Sequence, residues 1–113
     1  MKFIPFFIFC LLFLSCKSQD ILRTGAEQTE IYEEYIKSKN IGLVVNQSSR
    51  VGKVHLLDTL LKRSINVTKI FSPEHGFRGK ADAGEQIDDN VDPKTQLQVV
   101  SLYGKNKKPK KEQ

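Results

Sequence analysis

Beyond residue 16 the chain contains no cysteine; its two, Cys10 and Cys16, both sit near the N-terminus. A disulfide framework and a thiolate-held metal are therefore excluded from the body. A surplus of positive charge is also missing where it would matter. The formal net charge is +5, yet residues 17–104 carry twelve basic and twelve acidic side chains. The excess comes from Lys2 and from residues 105–113, which hold five lysines and one glutamate. A neutral body offers no basic face to track phosphates, which excludes nucleic acid as a partner. No internal repeat is present, and the longest apolar run falls short of the ~20 residues a spanning helix needs. Glu74-His75 lacks the helical two-histidine spacing of a zinc site, and the acids between Asp82 and Asp92 do not follow an EF-hand. No cofactor is called for.

What is present begins with a leader. Lys2 supplies a positive start, and Phe3 to Leu14 is apolar apart from Pro5 and Cys10, so residues 1–15 read as a secretory signal peptide. Its end, Phe13-Leu14-Ser15-Cys16, resembles a bacterial lipoprotein lipobox. That resemblance implies an acylated Cys16, residues 16–22 as a tether, and an exported bacterial lipoprotein anchored to a membrane at the periplasmic or cell-surface side. A plain cleaved signal with an incidental cysteine is the alternative.

The body, residues 23–104, reads as a single α/β unit. Thr24-Gly25-Ala26-Glu27 fits a capping box, predicting a helix to about Lys39 with Ile31, Tyr32, Tyr35 and Ile36 on its buried stripe. Glu30, Glu33 and Glu34 fall on its wet side. Ile41 to Val45 is a near-continuous apolar run, which suits a strand buried on both faces of a parallel sheet. Asn46 to Arg50 is a polar loop, and Gly52 leads to a second predicted helix over 53–63, with Val54, Leu57, Leu60 and Leu61 facing the sheet. His55, near its start, reads as a packing or capping residue. Asn66 to Phe71 and Leu97 to Tyr103 are two further strands, separated by a polar segment over 81–94 that reads as solvated and loosely structured. Residues 105–113 form a lysine-rich tail. The expected fold class is α/β, an incomplete Rossmann-like parallel sheet of about three strands and two helices behind a signal peptide.

Chemistry concentrates in Phe71-Ser72-Pro73-Glu74-His75-Gly76-Phe77-Arg78-Gly79, which places an acid, an imidazole and a guanidinium within five positions. Pro73 ends the strand, and Gly76 and Gly79 let the loop turn tightly. In parallel sheets ligands bind beyond the carboxyl ends of the strands, so Asn46, Gln47, Glu74, His75, Tyr103 and Gly104 should gather on one edge. A Glu74 carboxyl shielded by Phe71, Pro73 and Phe77 would serve as a proton donor near neutral pH. His75 would hold substrate or tune Glu74, and Arg78 would grip a carboxylate in bidentate fashion. The residues alone leave a second option open: a Glu74–Arg78 salt bridge that only pins the loop.

Five blocks now bear on the choice: Gly42-Leu43-Val44-Val45-Asn46-Gln47, the 71–79 stretch, Ala83-Gly84-Glu85, Val91-Asp92-Pro93-Lys94-Thr95 and Ser101-Leu102-Tyr103-Gly104. In that order they resemble the N-terminal part of the exo-β-N-acetylmuramidases, bacterial glycosidases of cell-wall turnover and recycling. The resemblance implies a Rossmann-like catalytic domain and removal of terminal N-acetylmuramic acid from the non-reducing end of peptidoglycan fragments. It makes Glu74 catalytic and places Asn46, Gln47, His75, Arg78 and Tyr103 near the sugar. The lactyl carboxylate of muramic acid gives Arg78 a reason to be there. Family members are several times longer, and the second acid that such hydrolysis uses is absent from this sequence. The expectation is therefore a truncated, marginally stable and inactive muramidase. The alternative is a non-catalytic surface lipoprotein that binds muramic acid.

Overall fold

The computed structural model describes residues 21–74, 76–79, 88–104 and 107–113. The expected leader, Cys16, most of the tether, His75 and much of the 81–94 segment lie outside the described residues. A 3-10 turn, Gly25–Glu27, precedes helix α1, Thr29–Ile36. Strand β1 is Ile41–Val44, β2 is Arg50–Val51 and β3 is Val54–His55, followed by helix α2, Leu56–Lys62. Strands β4 (Val67–Ser72), β5 (Asn90–Val91) and β6 (Gln98–Ser101) complete the order. The main sheet runs β1-β4-β6-β5, with β1, β4 and β6 parallel and β5 antiparallel on β6. The α/β expectation holds, with β5 as an antiparallel edge strand that the sequence reading missed.

The register explains the core. Leu43, Ile70 and Val99 are aligned across β1, β4 and β6 and point to the face that α2 covers. There Ile70 and Val99 pack with Val45, Leu57, Leu60, Ile65, Val67 and Phe77. Removing a side chain the size of Leu57 from water contributes about 2–3 kcal/mol. Beyond Val44 and Ser72 the parallel ladder continues: the Val45 N–H donates to the Phe71 carbonyl at 3.0 Å and the Leu102 N–H to the Ser72 carbonyl at 2.8 Å. All three parallel strands therefore release their chains at the same edge.

Three local expectations are corrected. Strand β1 is not buried on both faces: Val44 is 63% exposed. It is an outer strand of the sheet, and α2 packs on the Leu43 side only. Helix α1 stops at Ile36, three residues short of Lys39, because Lys37 is extended and Ser38 adopts a left-handed conformation. Of its expected stripe, Tyr32 and Ile36 touch the core, whereas Ile31 and Tyr35 are 60% and 71% exposed. Lastly, residues 50–55 form a hairpin, with Arg50 opposite His55 and Val51 opposite Val54, rather than the start of a helix. Gly52, at φ +57°, makes its tight turn. Val54, expected against the sheet, is exposed.

The hairpin delivers His55 as the cap of α2, as read. Its Nδ1 accepts from the Leu57 N–H at 3.2 Å, and its Nε2 lies 2.9 Å from the Asn46 carbonyl oxygen. Asp58 in the first turn and Lys62 in the last complement the helix dipole.

Candidate active site

Each of the three parallel strands supplies one wall of a cleft. After β1, Asn46 folds back on itself: its Oδ1 accepts from the Ser48 N–H at 3.0 Å and from the Ser48 hydroxyl at 2.7 Å. Such side-chain turns end strands sharply. After β4, Pro73 cannot donate to the ladder, and Glu74 leaves the sheet directly behind it. After β6, the Tyr103 N–H donates to the Ser101 hydroxyl at 3.2 Å while the Ser101 N–H is held by Asp89 at 2.8 Å. The result is a cleft of about 370 Å³ lined by Asn46, Pro73, Glu74, Leu102, Tyr103 and Lys107. Asn46, Glu74 and Tyr103 are brought together from positions far apart in sequence.

Glu74 is exposed. The expected apolar shield is only partly there, because Phe77 turns into the core rather than over the carboxyl. Its ring packs edge-on to His55 with centroids 4.7 Å apart. The carboxyl stands at the lip of the cleft.

Arg78 departs furthest from expectation. It forms no pair with Glu74. Its Nε and Nη2 each donate to Asp92 at 2.9 Å, and Nη1 and Nη2 donate to Asp58 at 3.3 and 3.2 Å. Its guanidinium also lies 4.6 Å above the Phe77 ring, a favourable cation–π position. The two carboxylates raise the pKa of Arg78 further, and hydrogen bonding to Arg78 pulls Asp92 down to about 2 and lowers Asp58. Asp92 is not part of a solvated connection either. Its side chain is 1% exposed, and it also accepts from the Thr95 hydroxyl at 2.7 Å. Arg78 is thus a structural clamp that ties the loop after β4 to α2 and to the 92–95 turn. The grip on a ligand carboxylate expected of Arg78 meets a guanidinium already engaged on both sides.

Gln47 is not in the cleft. It lines a neighbouring cavity with Arg50, Lys53, Asp58, Arg78 and Lys94. A Cβ on Gly79 would lie 2.8 Å from the Gln47 Cβ, and Gly79 has φ +67°, so the loop passes closely over Gln47 only because residue 79 is glycine. His75 lies outside the described residues. Asp58 and Asp92, both missed in the sequence reading, turn out to organise the loop. The i, i+3 spacing of Asp92 and Thr95 was the one local signal for either.

Comparison with known proteins bears on the fold and the family. The family model described as exo-beta-N-acetylmuramidase NamZ, N-terminal, matches residues 41–113. A peptidoglycan beta-N-acetylmuramidase NamZ from Bacillus subtilis (strain 168) is 39% identical over 87 residues, 69% of this chain and 19% of that protein. Two crystal structures of DUF1343 family proteins from Bacteroides fragilis NCTC 9343 share the fold. One has a TM-score of 0.61 at 42% identity and the other 0.62 at 31%. They cover 78% and 74% of this chain, which in turn spans 21% of each. The chain therefore spans about a fifth of the length of these relatives. With the family model matching residues 41–113, well over half of its length, the chain belongs to the NamZ exo-beta-N-acetylmuramidase family, in the N-terminal part of its sequence.

Proposed function

We propose that this chain is the glycan-recognising N-terminal part of an exo-acting muramidase. Its ligand is the terminal N-acetylmuramic acid at the non-reducing end of peptidoglycan fragments. One observation carries the reading: Asn46, Glu74 and Tyr103 line a single cleft at the carboxyl edge of the parallel strands. Glu74 is the proton donor to the departing glycosidic oxygen. The Asn46 amide and Tyr103 hydrogen-bond the sugar, and His75, next to the acid in sequence, is assigned to holding substrate or tuning Glu74. Glycoside hydrolysis of this kind uses two carboxyl groups, one for the leaving oxygen and one for water or the anomeric carbon. Among the described residues, Glu74 is the one carboxylate that lines the cleft. On this reading the 113-residue chain binds muramic acid without turning it over.

Calorimetric titration with N-acetylmuramic acid, beside hydrolysis of a chromogenic muramide, tests this. Binding without product release is the expected result, with Glu74→Gln retaining the binding. Sustained muramic acid release by the purified chain would overturn the inactive state, and absence of any sugar binding would overturn the reading itself. That same lone carboxylate favours a second role, a surface lipoprotein that retains cell-wall fragments. Both roles place the chain outside the cytoplasm, anchored through an acylated Cys16. Labelled palmitate should enter the expressed full chain and not its Cys16→Ala variant; equal labelling of the two would remove the anchor.

A further inference from the structure

A second cavity, lined by Gln47 rather than Asn46, has no part in the reading above. It measures about 410 Å³ and is lined by Val54 and His55 together with Gln47, Arg50, Lys53, Asp58, Arg78 and Lys94. Four of these last six are cations, but they are not equivalent. Arg78 is held by Asp58 and Asp92, and the Lys94 Nζ lies 2.7 Å from Asp58. Those two positive charges are compensated. Arg50 instead donates to the Lys53 carbonyl oxygen, a neutral acceptor that fixes the guanidinium across the hairpin turn. Neither Arg50 nor Lys53 has a carboxylate within ion-pair distance among the described residues. Gln47 lines the same cavity, and its Oε1 is buried with no hydrogen-bond partner among the described residues. Rotation of that amide brings its oxygen or its NH2 to the cavity.

We propose that this cavity is a subsite for a carboxylate carried on a hydroxylated or amidated framework. Arg50 and Lys53 bind the anion, and Gln47 takes the hydrogen bond beside it. A monoanion suits the balance better than a phosphate dianion, because Asp58 lines the same space and Asp92 stands behind Arg78. The inference rests on the muramidase reading in one respect, the source of the carboxylate. In the proposal one ligand reaches both, its sugar ring in the cleft and its lactyl carboxylate on the hairpin, since Gln47 lines this cavity and the adjoining Asn46 lines the Glu74 cleft. The grip assigned to Arg78 from the sequence thereby passes to Arg50 and Lys53.

Two arms test it on the full chain, by amide and side-chain NMR titration. The first uses free D-lactate, which carries the carboxylate and a hydroxyl without any sugar. Shifts at the Gln47 side-chain amide and at Arg50 and Lys53 are expected, weakened about tenfold or more in Arg50→Ala/Lys53→Ala, since a charge-assisted hydrogen bond is lost. Arg63→Ala, on the far end of α2, should leave them unchanged, and an unaltered amide spectrum confirms that each variant folds. The second arm compares N-acetylmuramic acid with its methyl ester. The acid should bind about tenfold more tightly in the wild type, and the double variant should erase that preference. Lactate seated on the hairpin with no sugar binding anywhere would keep the subsite and discard the muramidase reading. Muramic acid bound with no preference over its ester, or a preference that survives the double variant, would overturn the subsite and leave that reading standing.

Discussion

Glu74 and Arg78 are four positions apart on one loop, yet their surroundings are opposite. Glu74 stands exposed at the lip of a cleft. Arg78 is gripped by two carboxylates from two other segments and stacked on Phe77. One end of the loop is anchored and the other end is presented. An anchored guanidinium costs the loop its freedom, and that loss is what lets a neighbouring acid hold one position. The contrast assigns stability to the Arg78 end and chemistry to the Glu74 end, and each of the following changes strains that division.

The largest loss should come from the support the anchored end stands on. Leu57 is fully buried and directly precedes Asp58 on α2. Leu57→Ala should destabilise the chain by about 3–4 kcal/mol in urea unfolding, and the displaced Asp58 should loosen Arg78 as well. A loss under 1 kcal/mol would mean that α2 does not hold the sheet.

Next comes Asp92→Ala, which leaves Arg78 with a single carboxylate and Thr95 without its acceptor. A cost of about 2–3 kcal/mol is expected in the same measurement. Muramic acid binding should weaken with it, because the clamp positions the loop that carries Glu74.

A smaller effect should appear with pH. Hydrogen bonding to Arg78 holds Asp92 near 2 in the folded chain, against 3.8 for the free side chain. Above the unfolded value the full stabilisation is present. As pH falls through the window from about 4 to about 2, the unfolded chain takes up a proton that the native chain does not, and stability declines. The decline should amount to about 2 kcal/mol, reinforced by Asp58, whose pKa is lowered by the same guanidinium. Asp92→Asn should flatten this slope, and an unchanged slope would detach the clamp from the acid response.

The smallest change is expected at the presented end. Glu74→Gln removes a charge from an exposed position and should alter stability by less than about 0.5 kcal/mol. A loss comparable to that of Asp92→Ala would make Glu74 a structural residue and collapse the distinction between the two ends.

The parts of the fold legible in the sequence were those with local causes. Apolar runs at 41–45, 66–71 and 97–103 marked three parallel strands, and Pro73 marked where the second ends. The Asn46, Glu74 and Tyr103 convergence followed from strand–helix–strand order alone. The hairpin was misread although Val51-Gly52-Lys53-Val54 carries a hairpin signature, because Leu56 to Lys62 imposes a helical period on its flank. Exposure of Val44, Ile31 and Tyr35 had no local mark, since periodicity says which residues share a face and not whether that face is covered.

By itself, then, the order of residues determined the three parallel strands, the point at which the Glu74 loop leaves the sheet, and the family to which the chain belongs. Short-range forces suffice for these, because side-chain shape and turn chemistry act within a few positions. The charge pairing was decided only by the tertiary structure. Arg78 meets Asp58 and Asp92 across separations of 20 and 14 residues, while Glu74, its sequence neighbour, stays free of it. An ion pair forms according to distance in space and the water it displaces, and neither quantity is written along the chain.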